Sequence, residues 1–130
     1  MGILGFNSGS RQITDLLAEV RRMQNEHTAG AIDYKLPLTQ LSGDQRELAD
    51  AINTLVQAHI DVKMEIVGLI KEYGSGDFSR TMSRLPGRKA RITEVMDEVR
   101  ERFTSADLME RESQRIKQAL DNTTTNVMIA

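Results

Sequence analysis

Residues 44–76 read DQRELADAINTLVQAHIDVKMEIVGLIKEYGSG, and within them Leu48, Ile52, Leu55, His59, Val62, Ile66, Leu69 and Tyr73 follow one another by alternating steps of four and three. A stripe kept in that rhythm stays on one side of a helix and marks a seam along which helices pack together. No Pro interrupts it, and Gly68 lies off the stripe. The spacing predicts one helix of about 30 residues, roughly 45 Å long at 1.5 Å per residue. Asp44 is a natural helix start with Glu47 three residues on, the spacing of a capping box, and Gly74, Ser75 and Gly76 end the run.

The same rhythm continues on either side. Upstream, Ile13, Leu16, Val20, Met23 and His27 predict a first helix that starts at a Ser10 cap, behind a flexible Gly- and Ser-rich segment over 1–10, and stops near Gly30. Downstream, Ile92, Met96, Val99 and Phe103 predict a third helix that continues through Leu108 or Met109 toward Ile116 and Leu120. The stripe loses its spacing between Phe103 and Ile116, which predicts a phase shift or bend there. Two connectors, 31–43 and 77–87, separate the helices, each holding one Pro, Pro37 and Pro86. Ile32, Leu36, Leu38 and Leu41 in the first, and Phe78, Met82 and Leu85 in the second, are too apolar for free loops and must lie against helices.

The connectors repeat. Gly30 and Gly76 stand 46 residues apart, as do Ile32 and Phe78, Leu36 and Met82, Val20 and Ile66, Met23 and Leu69, and His27 and Tyr73. Past that point the offset becomes 44, relating Leu41 to Leu85, Leu48 to Ile92, Ile52 to Met96, Asn53 to Asp97 and Leu55 to Val99, so the second connector is shorter by two residues. The unit is helix, connector, helix, and it occurs twice, with one helix shared. A connector of about a dozen residues can travel back along a helix, so the two helices of a unit can run parallel. Two helices with one narrow seam each cannot close a core, whereas two copies of the chain form a four-helix bundle with the connectors tucked into its grooves.

Composition agrees with helices that bury narrow stripes. The 130 residues include two Tyr, three Phe and no Trp, only 4% aromatic, so a single chain has few large rings for a core of its own. Lys and Arg number 17 against 19 Asp and Glu, giving a net charge of −2 with the signs interspersed, a poor basis for capturing a nucleic-acid backbone. No stretch reaches the roughly 20 consecutive apolar residues of a membrane span, and 1–10 lacks the form of a signal peptide. The absence of cysteine removes disulfides, thiolate metal sites and cysteine nucleophiles, and points to a reducing, cytoplasmic setting. His27 and His59 lie on the seams without the further ligands a metal site needs, and no phosphate-loop signature follows the glycines at 74–76. No enzyme site, metal or cofactor is expected.

The Gly30, Ile32, Leu36 and Gly76, Phe78, Met82 series resemble the connector signature of HAMP domains, the relay modules of chemoreceptors and sensor kinases. The stretch 58–103, AHIDVKMEIVGLIKEYGSGDFSRTMSRLPGRKARITEVMDEVRERF, is similar to the concatenated HAMP pair of soluble PAS-haem oxygen transducers of the methyl-accepting chemotaxis class. The tail at 115–130, RIKQALDNTTTNVMIA, resembles the entry helix and first strand of a PAS domain. The proline common in the first helix of such units is absent from both copies, and where the first unit opens its second helix with Asp44 and Glu47, the second has Arg88, Lys89 and Arg91.

The resemblance implies an all-α fold: a parallel homodimeric four-helix bundle, or coiled coil, of two concatenated units, 11–60 and 61–106, with a linker helix and the truncated start of a PAS domain over 107–130. Gly30, Ile32, Leu36, Leu41, Gly76, Phe78, Met82 and Leu85 are the candidate connector residues. The candidate bundle core and dimer interface is Val20, Met23, Leu48, Ile52, Leu55, His59, Val62, Ile66, Leu69, Ile92, Met96, Val99 and Phe103. The implied function is a relay in a chemoreceptor-type transducer, and the implied partners are a second copy, a sensor such as PAS, and a kinase-control or other output domain. A passive dimerisation stalk, or the relay of a sensor histidine kinase or diguanylate cyclase, is the alternative.

Overall fold

The computed structural model describes the backbone of residues 2–129 and the side chains of residues 11–124. Three helices account for most of it: α1 (Gly2–Thr28), α2 (Gly43–Gly74) and α3 (Ala90–Ile129), the last preceded by a single 3-10 turn over Gly87–Lys89. No strand occurs among the described residues. The chain divides into two compact units, Met1–Val62 and Lys63–Ala130, and α2 contributes its first part to one and its last part to the other.

Both ends of the chain depart from expectation. The backbone is helical from Gly2, so Ser10 lies inside α1 and does not cap it. No Pro falls in 2–10, and Gly costs a helix only about 1 kcal/mol relative to Ala. At the other end, α3 continues through the segment expected to bend and through the tail expected to form a strand. Residues 88–130 hold neither Pro nor Gly to break the helix. A lone strand leaves its amides unpaired, whereas a helix satisfies them within itself.

In the first unit α1, the connector and α2 converge on Leu16, Met23, Leu36 and Ala49, with Val20, Tyr34, Leu38, Leu41, Ile52 and Val56 packed around them. On α2 the edge turned into this core is thus Ala49, Ile52 and Val56, beside the predicted stripe and sharing only Ile52 with it. In the second unit Leu69, Tyr73, Met82, Thr93 and Met96 are buried, and Ile66, Phe78, Leu85, Ile92 and Val99 are half-buried. From Ser105 to Thr124 the side chains of α3 are exposed apart from half-buried Asp107. Arg111 pairs there with Asp107 at 3.0 Å, and Arg115 with Glu112.

The two connectors leave their helices by the same turn. Gly30 and Gly76 have φ of +103° and +92°, a conformation that a side chain on Cα disfavours. The next amide reaches back to a carbonyl five residues earlier, Ala31 to Glu26 at 2.8 Å and Asp77 to Glu72 at 2.9 Å. The following helices also open alike, behind Gly43 and Gly87 at φ +56° and +59°. In α2 the Arg46 amide donates to the Ser42 carbonyl at 3.4 Å, so the helical ladder begins ahead of Asp44. Asp44 sits in the first turn, where its charge still complements the helix dipole, and does not cap the helix as expected.

Candidate functional site

Each connector carries one apolar side chain driven into its unit, Leu36 in the first and Met82 in the second, both 2% exposed. Burying them also buries nearby backbone, and peptide groups removed from water need partners. In the first unit Asn53 of α2 supplies two: the Leu36 amide donates to Asn53 Oδ1 at 2.8 Å, and Asn53 Nδ2 donates to the Leu36 carbonyl at 3.0 Å. In the second unit Thr93 of α3 spans the equivalent stretch, its hydroxyl donating to the Ser83 carbonyl at 2.9 Å and accepting from the Leu85 amide at 3.2 Å.

A ring at the end of the first helix holds each connector further upstream. His27 Nε2 lies 2.9 Å from the Tyr34 carbonyl, and the Tyr73 hydroxyl donates to the Arg80 carbonyl at 2.7 Å. His27 with Tyr73, and Tyr34 with Arg80, are related by the 46-residue offset of the sequence repeat. Glu19 and Glu65 share that offset: Glu19 accepts from the Tyr34 hydroxyl at 2.7 Å, and Glu65 accepts from both the amide and the hydroxyl of Ser83 at 2.8 Å. The architecture recurs with different chemistry at each grip.

Electrostatics differ between the units. In the second, Arg84 forks onto Asp97 through two bonds of 2.8 and 2.9 Å, which holds the Asp97 carboxyl below its ordinary pKa. Arg80 pairs with Glu72 at 2.7 Å, and the Arg100 guanidinium donates to the Phe78 carbonyl at 2.7 Å. Burial raises the pKa of the Tyr73 phenol, and its ring packs against Phe78 with centroids 6.2 Å apart. The first connector is held by mostly neutral groups, although Arg22 lies over the Tyr34 ring at 5.6 Å and the bond to Glu19 raises the Tyr34 phenol.

The structure brings some predicted residues together inside one chain and leaves others uncovered. Met23, Leu36, Leu69, Met82 and Met96 are buried, and Val20, Leu41, Ile52, Val62, Ile66, Phe78, Leu85, Ile92 and Val99 are half-buried. Ile32, His59 and Phe103 are exposed, as are Leu48 at 54% and Leu55 at 61%. Gly30, Gly76, Asp44 and Glu47 also face solvent. Ile13 and Leu17 add an uncovered apolar edge on α1. Leu48 and Leu55 therefore belong to no intrachain core, and the stripe that decided the fold leaves these two side chains open on α2.

Sequence reasoning missed the grips themselves. The repeat pairs Asn53 with Asp97, and a polar pair kept in register beside an apolar seam is the available signal. Thr93 and Arg100 carry none, because their partners are backbone amides and carbonyls, which have no sequence identity. No helix among the described residues is long and apolar enough to cross a membrane.

Comparison with known proteins places these features among signalling modules. Residues 62–104, which include the second connector and its grips, match the family described as HAMP N-terminal domain 3. The chain is 46% identical over 127 residues, 92% of its length, to the methyl-accepting chemotaxis protein McpB of Pseudomonas aeruginosa. It spans 19% of that relative's length.

Proposed function

We propose that the chain is a signal relay of a chemoreceptor-type transducer: two concatenated HAMP units in a parallel homodimer that convert a displacement at one end into changed helix packing at the other. The observation that carries this reading is the recurrence of one grip architecture in both units, with ring to carbonyl, acidic side chain to connector and helix side chain to connector backbone all repeating. Continuous α2 serves both copies, so a rotation or shift of that helix is felt at both connectors. The exposure of Leu48 and Leu55 supports a second copy as the missing cover, since large apolar side chains uncovered along one helix edge mark a packing surface. A sensor and an output domain, the PAS and kinase-control classes among them, are the partners this reading requires.

Two classes of experiment test it. The chain has no cysteine, so Leu48→Cys and Leu55→Cys introduce single thiols. A parallel dimer cross-links to itself at both positions, whereas an antiparallel one does so at no more than one. A helical monomer in sedimentation at tens of micromolar would remove the dimer and the relay together. In a full-length receptor, Ile32→Asp and Phe78→Asp should lock output high or low. Loss of dimer stability with no change in output per dimer would leave a passive stalk.

A further inference from the structure

We infer that Arg100 is a positioning residue that ties the second connector down at a point where the first is free, so that the first connector is the one that detaches first. Arg100 Nε donates to the Phe78 carbonyl at 2.7 Å, across 22 positions of sequence. Phe78 is at the start of the connector, two residues past the Gly76 turn, and its ring packs on Tyr73, whose hydroxyl takes the Arg80 carbonyl. Phe78 and Arg80 are thus both held through their carbonyls, one by α3 and one by α2. The Arg100 carbonyl in turn accepts from the Thr104 hydroxyl at 2.8 Å on the same helix.

The 44-residue offset puts Val56 in the first unit where the second has Arg100, and the 46-residue offset puts Ile32 where it has Phe78. Val56 is part of the apolar packing and has no donor to offer. The Ile32 amide bonds only to Gly30, inside its own turn, and the Ile32 side chain is 42% exposed. Between the turn and the His27 grip at Tyr34, the first connector has no tether to either helix among the described residues. A segment whose backbone bonds are local opens at lower cost than one bonded to a neighbouring helix. A hydrogen bond from a charged donor is among the stronger single tethers a loop can have.

The holding of Phe78 by Arg100 stands without the relay reading. Only its consequence, that the first unit is the first to change packing, rests on that reading. Hydrogen exchange of the full chain, followed residue by residue by NMR and corrected for intrinsic rates, tests both parts at the two amides that close the equivalent turns, Ala31 to Glu26 and Asp77 to Glu72. In the wild type, the Ala31 amide should exchange about 10-fold faster than the Asp77 amide, the factor expected for one charged tether beside the second turn. Arg100→Met keeps the length of the stem without the donor and should raise exchange of the Asp77 amide about 10-fold at unchanged helicity. Arg100→Lys restores a cationic donor and should remain within about 3-fold of wild type. Equal protection of the Ala31 and Asp77 amides in the wild type, or wild-type protection of Asp77 in Arg100→Met, overturns the inference. If Arg100→Met fails to fold, the wild-type comparison still decides. If the exchange pattern holds while Ile32→Asp leaves receptor output unchanged, the positioning role stands and the relay falls.

Discussion

Replacing Asn53 with Ala removes both bonds to the Leu36 backbone, at 2.8 and 3.0 Å, and leaves that amide and carbonyl beside a side chain that is 2% exposed. Each bond is worth about 1 kcal/mol net, and a buried group left bare costs about 1–3 kcal/mol. Asn53 is half-buried, so water reaches part of the vacancy and the lower end applies, for a total of roughly 2 kcal/mol. In a domain of about 60–100 residues this lowers the melting temperature by roughly 8–16 °C. Thermal unfolding followed by circular dichroism at fixed chain concentration measures it, with concentration held because dimerisation shifts the midpoint. Asn53→Asp refines the test. Its carboxylate still accepts from the Leu36 amide but faces the Leu36 carbonyl with no proton to give. It should lie between wild type and Asn53→Ala at neutral pH and recover as the carboxyl is protonated. An Asn53→Ala melting temperature within 2 °C of wild type, with unchanged exchange at the Leu36 amide, would refute the claim that this side chain fixes the connector.

Leu36→Ala and Met82→Ala empty sites that are nearly closed to solvent, and each should cost about 2–4 kcal/mol in urea unfolding, the loss for Leu36→Ala appearing in the first unit and for Met82→Ala in the second. Asp97 titrates below its ordinary range because Arg84 holds its charged form, so folded protein binds that proton less readily than unfolded chain. Its contribution is complete above the ordinary carboxylate range and is lost as pH falls through the folded value. Asp97→Asn should flatten that part of the acid limb, by a small amount because the pair is exposed. Tyr73 has the opposite sign: burial favours its neutral phenol, so stability is full below about pH 10 and declines as pH rises past it. Tyr73→Phe should remove part of the alkaline limb while losing the hydrogen bond to the Arg80 carbonyl, both visible in melting temperatures taken across pH.

What the sequence determined by itself is the set of elements and their repetition. Periodicity places α2 because an apolar residue every three or four positions has one geometric solution. The apolar content of the connectors predicts members that lie against helices, as Leu36 and Met82 do and the exposed Ile32 does not. Glycine marks the two turns because the positive φ there favours a residue without a side chain. Local sequence gave no such answer at the ends of the chain. Ser10 carries the signal of a cap, and the resemblance of the tail to the start of a PAS domain implies a strand, yet Ser10 and the tail as far as Ile129 lie in uninterrupted helix, because a local signal decides only where no longer run of satisfied backbone competes with it. Tertiary structure alone decided how the helices meet the connectors. The spacing of the α2 stripe predicts one packing surface, but inside a single chain Ala49, Ile52 and Val56 face the core while Leu48 and Leu55 do not. Periodicity fixes which residues share a helix side. Which edge of that side turns inward depends on where the connector lies, and the connectors are held, the first by Asn53 and the second by Thr93 and Arg100, through backbone groups that every residue possesses.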